Sequence, residues 1–293
     1  MPLRDIKNKP VEWNAIQGTR QPFAPVVALF SVCLFVLSAC CSNDNKGHPP
    51  SNETDRENAQ DHAEDLRQAA ALRARLHRQM SNHQWLARSR GWQILEQGAA
   101  ISDKEMTLFY TRRTVLKSQR ASGSDQAEPD YWNREHLWPR SYGLKGTAAD
   151  RDLHNLVPTD RTVNSSRGNK VFDVAMTPHR ECTLCRVDSH AWEPPDEVKG
   201  DIARILFYMD VRYEGDTGIE TDAGLPDLTL TEVADPSRRQ LGPLHTLLTW
   251  HCIDPVSPKE EARHEVVAAA QGNRNVFVDK PSLVEAVYLF DCP

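Results

Sequence analysis

Tyr131-Trp132-Asn133-Arg134-Glu135-His136-Leu137-Trp138-Pro139-Arg140-Ser141 is the stretch on which the reading of this chain turns. It places an adjacent carboxylate–imidazole pair inside a run rich in aromatic residues. Asp152-Leu153-His154-Asn155-Leu156-Val157-Pro158 follows, and then Val163-Asn164-Ser165-Ser166-Arg167-Gly168-Asn169. Strands are expected near 131–136 and 153–157. A short helix is expected to begin near Thr159 or Asp160 and to stop at Gly168-Asn169. The two strands would face that helix across a small cleft holding Glu135, His136 and Asn164.

Working outward, residues 63–98 carry Leu66, Ala69, Leu72, Leu76 and Met80 at helical spacing. Thr107–Thr111 suits a buried strand, and 112–130 reads as a polar loop. Ile202–Tyr213, Leu244–Cys252 and Pro258–Gln271 read as helices, the last with its proline in the first turn. The mixture is α+β. At 293 residues and 39% hydrophobic content the chain can build one sizeable core, and it shows no internal repeat.

The N-terminal segment is of another kind. Arg4, Lys7, Lys9 and Arg20 precede an uncharged apolar run from Phe23 to Ala39, which ends in Leu37-Ser38-Ala39-Cys40. A basic leader, a short apolar core and small residues before a cut site describe a secretory signal. The Leu-Ser-Ala-Cys ending resembles a bacterial lipobox, with Cys40 as the lipid-bearing residue. The alternative is an uncleaved anchor at the short edge of a spanning helix. The expected organisation is a lipoprotein-type signal over 1–39, a flexible tether over 40–62 and a body over 63–293. The body is expected outside the cytoplasm, periplasmic or at the cell surface, with the outer membrane favoured. No obligate protein partner is readable. Of the seven cysteines, Cys182, Cys185, Cys252 and Cys292 fall in the body. Export favours disulfides. Connectivity stays open, with Cys182–Cys185 and Cys252–Cys292 favoured over a zinc site built from His179, Cys182, Cys185 and His190.

The central blocks supply what phosphodiester hydrolysis needs. A histidine deprotonates water near neutral pH. A divalent cation with hard oxygen ligands, helped by an arginine, offsets transition-state charge. Mg²⁺ takes few protein oxygens, and Glu135 and Asn164 are candidates to supply them. The formal net charge of −6 argues mildly against a nucleic-acid partner. Against that, Arg134–Lys170 holds seven Lys/Arg and four Asp/Glu, an excess of three. Arg112, Arg113, Lys117 and Arg120 add a basic run upstream, which is either a solvated loop or a lining for phosphates.

Asn133-Arg-Glu-His136 with Trp138-Pro139 and Ser141 resembles the catalytic signature of the endonuclease I family, within the His-Me finger group. Asp152–Leu156, Asn164–Asn169, Lys199–Arg204 with Tyr208-Met209, Asp254-Pro255 and Gln271–Phe277 resemble its following blocks. The resemblance implies a ββα-metal core with flanking helices and metal-dependent, largely sequence-nonspecific cleavage of DNA, and of RNA in some members. It implies His136 as general base and Glu135 and Asn164 as ligands of Mg²⁺, for which Mn²⁺ or Ca²⁺ could substitute. For the arginine that steadies the phosphate, Arg140, Lys145, Arg151 and Arg167 compete, with Arg167 favoured because it lies three residues beyond Asn164. Neighbouring strand residues point to opposite faces, so the strand is expected to end or bulge at Glu135-His136. The alternative function is a surface lipoprotein that binds nucleic acid or a partner without cutting it.

Overall fold

The computed structural model describes residues 53–121, 130–215, 217–219 and 222–293. The expected leader, and the tether up to residue 52, lie outside them. Helix α1 (Glu53–Ser81) starts ten residues before the expected body, so residues 53–62 are helical rather than a tether. Residues 57–68 are exposed throughout. Glu64 pairs with Arg67 and Gln68 there, and good helix formers with such local pairs sustain a polar helix without a core. Among the described residues no helix is long and apolar enough to cross a membrane.

Helicity breaks at 82–87 before α2 (Arg88–Gly98). There the Gln84 amide donates to the Gln271 carbonyl at 2.7 Å, a tertiary bond that continued helix would forbid. β1 (Glu105–Thr107) and β2 (Thr114–Leu116) pair antiparallel. The chain turns after Thr107 instead of extending to Thr111, with the Phe109 amide bonded to the Pro158 carbonyl and Arg112 at φ +56°.

The centre of the fold is β3 (Trp132–His136), β4 (Leu156–Asp160) and α3 (Arg161–Arg167). β3 and β4 are antiparallel in unbroken register from Trp132↔Asp160 to His136↔Leu156. β4 begins three residues later than expected because the Asp152 carboxylate accepts the His154 amide and holds a turn there. α3 stops at Gly168, whose φ of +60° suits glycine. α3 packs back on the strands, completing a ββα unit.

Around this unit, β5 (Val171–Phe172), β6 (Thr177–Pro178), β7 (Arg186–Val187) and β8 (Ala191–Glu193) form a small sheet in the order β5-β8-β7-β6. Cys182 and Cys185 are joined within the segment connecting β6 to β7, which consumes two of the four zinc candidates. α4 (Lys199–Arg212) is buried along its whole length, as a helix apolar on most sides must be. β9 (Thr229–Leu230) and β10 (Gln240–Leu241) pair in parallel beyond it. α5 (Leu244–Ile253), α6 (Pro258–Gln271), α7 (Val276–Asp279) and α8 (Leu283–Tyr288) complete the chain. Ser257 caps α6 and Gly272 ends it at φ +89°, which fits the expected helix. Cys252–Cys292 ties the C-terminus to α5.

The main core surrounds α4, and a second cluster lies under α2, where Ile94, Leu95, Trp132, Leu156 and Val267 meet. Trp132 and Trp138 are both fully buried, so they serve as core.

Candidate active site

Glu135 sits in β3 with its side chain under the fold. Its Oε1 accepts from the Tyr110 hydroxyl at 3.0 Å and from Arg167 Nη1 at 2.9 Å. Among the described residues no donor reaches Oε2. Burial pushes the Glu135 carboxyl up, while the Arg167 charge and the Tyr110 bond pull it back. Tyr110 is kept protonated by its own burial and by the Glu135 charge beside it.

Asn164 Nδ2 donates to Asn133 Oδ1 at 2.7 Å and to the Arg134 carbonyl at 3.2 Å. Both partners are acceptors, which fixes the amide orientation and leaves Oδ1 as the free acceptor. One turn further along α3, Arg167 Nη1 also donates to the His136 carbonyl at 2.9 Å and Nη2 to the Leu137 carbonyl at 2.8 Å. Its guanidinium lies 4.3 Å from the Phe172 ring centroid. Asn164 and Arg167 together cover the edge of β3 that β4 leaves unpaired.

Arg167 is fully buried and its Nη groups are taken up by the protein. This burial does not support the expectation that it steadies a phosphate, since its guanidinium is turned to Glu135 and to backbone carbonyls. It holds Glu135 instead. Of the other three candidates, Lys145 and Arg140 are exposed and Arg151 is half-buried.

His136 is the last residue of β3. The expected end or bulge at Glu135-His136 is not found: β3 runs through both residues, each in register with β4. Their side chains therefore leave on opposite faces. His136 Nε2 is 3.0 Å from the Asp150 carbonyl, so that nitrogen carries the proton. The Asp150 carboxylate lies 3.2 Å from the same nitrogen. Asp150 accepts from Arg140 at 2.5 and 2.8 Å and from Arg88. Burial acts to raise the Asp150 carboxyl, but its bonds from His136 and Arg140 prevail and hold it well below the usual carboxylate range. Arg134 shares this face. It pairs with no carboxylate among the described residues, donates to the Arg88 carbonyl at 2.9 Å and lies 4.6 Å over Trp92.

The remaining sequence candidates have structural work. Asn155 grips the Trp138 backbone at both ends, accepting from its amide at 2.7 Å and donating to its carbonyl at 3.1 Å. That fixes the chain as it leaves His136. His154 is buried, with Nε2 3.2 Å from the Asn273 carbonyl. The upstream basic run is largely matched: Arg112 pairs with Glu197, Arg113 with Asp160, and Arg120 with Glu96. A separate trio, His264, Glu265 and Asp279, brings ligand atoms within 4.8 Å of one another, but Arg274 bridges both carboxylates and already answers their charge. Sequence reasoning missed Tyr110, Asp150 and Arg88. Nothing near 135–136 points to them; only the folded chain brings them together.

The family model for endonuclease I matches residues 69–282. The chain belongs to the endonuclease I family. This member is 39% identical over 224 residues to an extracellular ribonuclease of Bacillus amyloliquefaciens, covering 74% of each chain. It is 37% identical to an extracellular ribonuclease of Bacillus subtilis (strain 168) over the same share. It is 27% identical over 136 residues, 45% of each chain, to Endonuclease-1 of Buchnera aphidicola subsp. Acyrthosiphon pisum (strain APS). As an endonuclease I protein it is a nuclease, a phosphodiester hydrolase with a ββα-metal core of the α+β class. The β3-β4-α3 unit is that core.

Proposed function

We propose that this chain is a Mg²⁺-dependent, largely sequence-nonspecific endonuclease acting on DNA and on RNA outside the cytoplasm. The observation that carries the reading is the donor arrangement at β3 and α3. Tyr110 and Arg167 both load Glu135 Oε1, and the bonds of Asn164 Nδ2 direct its Oδ1 outward. Two hard oxygens are thus left over on neighbouring elements, a donor set suited to Mg²⁺. A bound divalent cation there would offset negative charge on the scissile phosphate.

With Nε2–H committed to Asp150, His136 keeps its Nδ1 lone pair for the proton of the attacking water. The hydroxide oxygen bonds to phosphorus as the P–O bond to the 3′ oxygen breaks, and that oxygen takes a proton from solvent water, giving a 5′-phosphate and a 3′-hydroxyl. Because Glu135 and His136 leave β3 on opposite faces, this reading requires the phosphate to lie at the end of the strand. Arg167 acts as a positioning residue for Glu135.

The names of the Bacillus relatives support RNA as a substrate, and the endonuclease name supports DNA. They and the two disulfides also support an extracytoplasmic site. Within that reading, the Leu37-Ser38-Ala39-Cys40 sequence alone supports a lipid on Cys40 after removal of residues 1–39, with the outer membrane favoured. The test is a Mg²⁺ titration of cleavage. Glu135→Gln and Asn164→Ala should each raise the half-maximal Mg²⁺ concentration roughly tenfold or more. An unchanged Mg²⁺ midpoint in both variants removes these residues from the metal site.

A further inference from the structure

We infer that the Asp150 side chain is a positioning residue for His136, fixing the imidazole so that Nδ1 faces the substrate. This rests on the reading of His136 as the base. The backbone carbonyl of residue 150 alone could hold Nε2 at 3.0 Å, yet the carboxylate of the same residue also stands 3.2 Å from that nitrogen. One residue thus offers two acceptors to one N–H, so the ring is restrained in orientation as well as in tautomer.

The carboxylate is itself held. It is 1% exposed at the side chain. Arg140 grips it with two bonds, at 2.5 and 2.8 Å, and Arg88 adds a third from α2. A buried carboxylate needs such partners to stay charged. With three guanidinium bonds its position is set by two other segments of the fold, and it does not follow the imidazole if the ring turns. The chain is pinned on both sides as well: Asn155 clamps the Trp138 backbone, and Ala148–Arg151 forms a short 3₁₀ turn that presents Asp150.

The arrangement has a chemical consequence. When Nδ1 takes the proton of water, the ring becomes a cation, and an ionised carboxylate beside Nε2–H stabilises that cation without taking the proton itself. Arg140 and Arg88 keep Asp150 ionised while this happens. The carbonyl contributes orientation but no full charge. Asp150→Asn therefore removes the charge while leaving the shape, and separates the two contributions.

The test combines kinetics with ring NMR on the full chain. Asp150→Asn should lower kcat on the order of 10²-fold with KM little changed, and Asp150→Glu should recover part of the loss. In the wild-type protein, with its histidine neutral, ¹⁵N shifts of the His136 ring should report the Nε2–H tautomer alone. In Asp150→Asn they should report a mixture. Wild-type kcat in Asp150→Asn, an unchanged tautomer signal in that variant, or an Nδ1–H tautomer in the wild type overturns the inference. The wild-type spectrum decides even if the variants do not fold. His136→Ala keeps the two ideas apart: activity surviving in His136→Ala defeats the base assignment, whereas an inactive His136→Ala beside a fully active Asp150→Asn defeats only this inference.

Discussion

Arg167 Nη1 lies 2.9 Å from Glu135 Oε1, and both side chains are buried. The pair joins the first strand of the ββα unit to its helix. Removing one partner leaves the other charge buried and unmatched, which costs more than the pair contributes when intact. Arg167→Ala should therefore lose about 3–5 kcal/mol of unfolding free energy, read from urea denaturation. Arg167→Lys tests the assignment further. A lysine keeps the charge but not the fork that reaches Glu135, His136 and Leu137 together, so it should not restore stability. Full stability in both variants would contradict the positioning role.

The two disulfides should differ in weight. Cys252–Cys292 closes a separation of 40 residues and Cys182–Cys185 one of only 3. Loop-closure entropy then assigns about 4 kcal/mol to the first and about 2 kcal/mol to the second. The Cys252→Ser/Cys292→Ser protein should unfold at distinctly lower denaturant than Cys182→Ser/Cys185→Ser. Equal losses would show that chain entropy in the unfolded state is not the governing factor.

Acid should weaken the fold well above the carboxylate range. Burial, the largest influence, lowers His154 to about 3 and His251 to about 4. Both are neutral in the folded chain and take a proton on unfolding once pH drops below the ordinary histidine value. Stability is fully present above about pH 6.5 and declines as pH falls toward the folded-state values. His154 alone should remove on the order of 2 kcal/mol by about pH 4.5. Urea midpoints at about pH 7.5 and pH 4.5 measure this, and His154→Asn should flatten the slope. A flat profile over that range would contradict it.

Gly200 lies where α4 closely approaches the α5–α6 junction. A Cβ there would lie 2.0 Å from the Asp254 carbonyl oxygen, and the Gly200 amide donates to Asp254 Oδ2 at 2.8 Å. Backbone cannot yield cheaply, so Gly200→Ala should cost about 3 kcal/mol or more, again by denaturation. Unaltered stability would mean that α4 shifts freely against the junction.

What the sequence disclosed follows the range of the forces involved. The ββα unit and the ends of α6 were legible because turn chemistry and caps act over a few residues, and motif spacing put Glu135, His136 and Asn164 on β3 and α3. The break after Ser81 was not, because a bond to Gln271 causes it. The two-residue strands around Cys182–Cys185 are too short for any periodicity. The charges of α1 read as a tether because composition shows the lack of a core, not the local pairs that support a helix. At the site, the surroundings of Arg167 were not readable for a related reason. Its place on the helix face was readable, but its burial depends on Phe172 and on the β3 carbonyls. Asp150 stayed hidden because its partners include Arg88, on another element.

The most direct measurement is cleavage of supercoiled plasmid and of a structured RNA by the full chain, with Mg²⁺ or with EDTA, beside His136→Ala. The account predicts degradation of both substrates with Mg²⁺, none with EDTA, and none by folded His136→Ala. Cleavage that survives the chelator or the loss of His136 would contradict it.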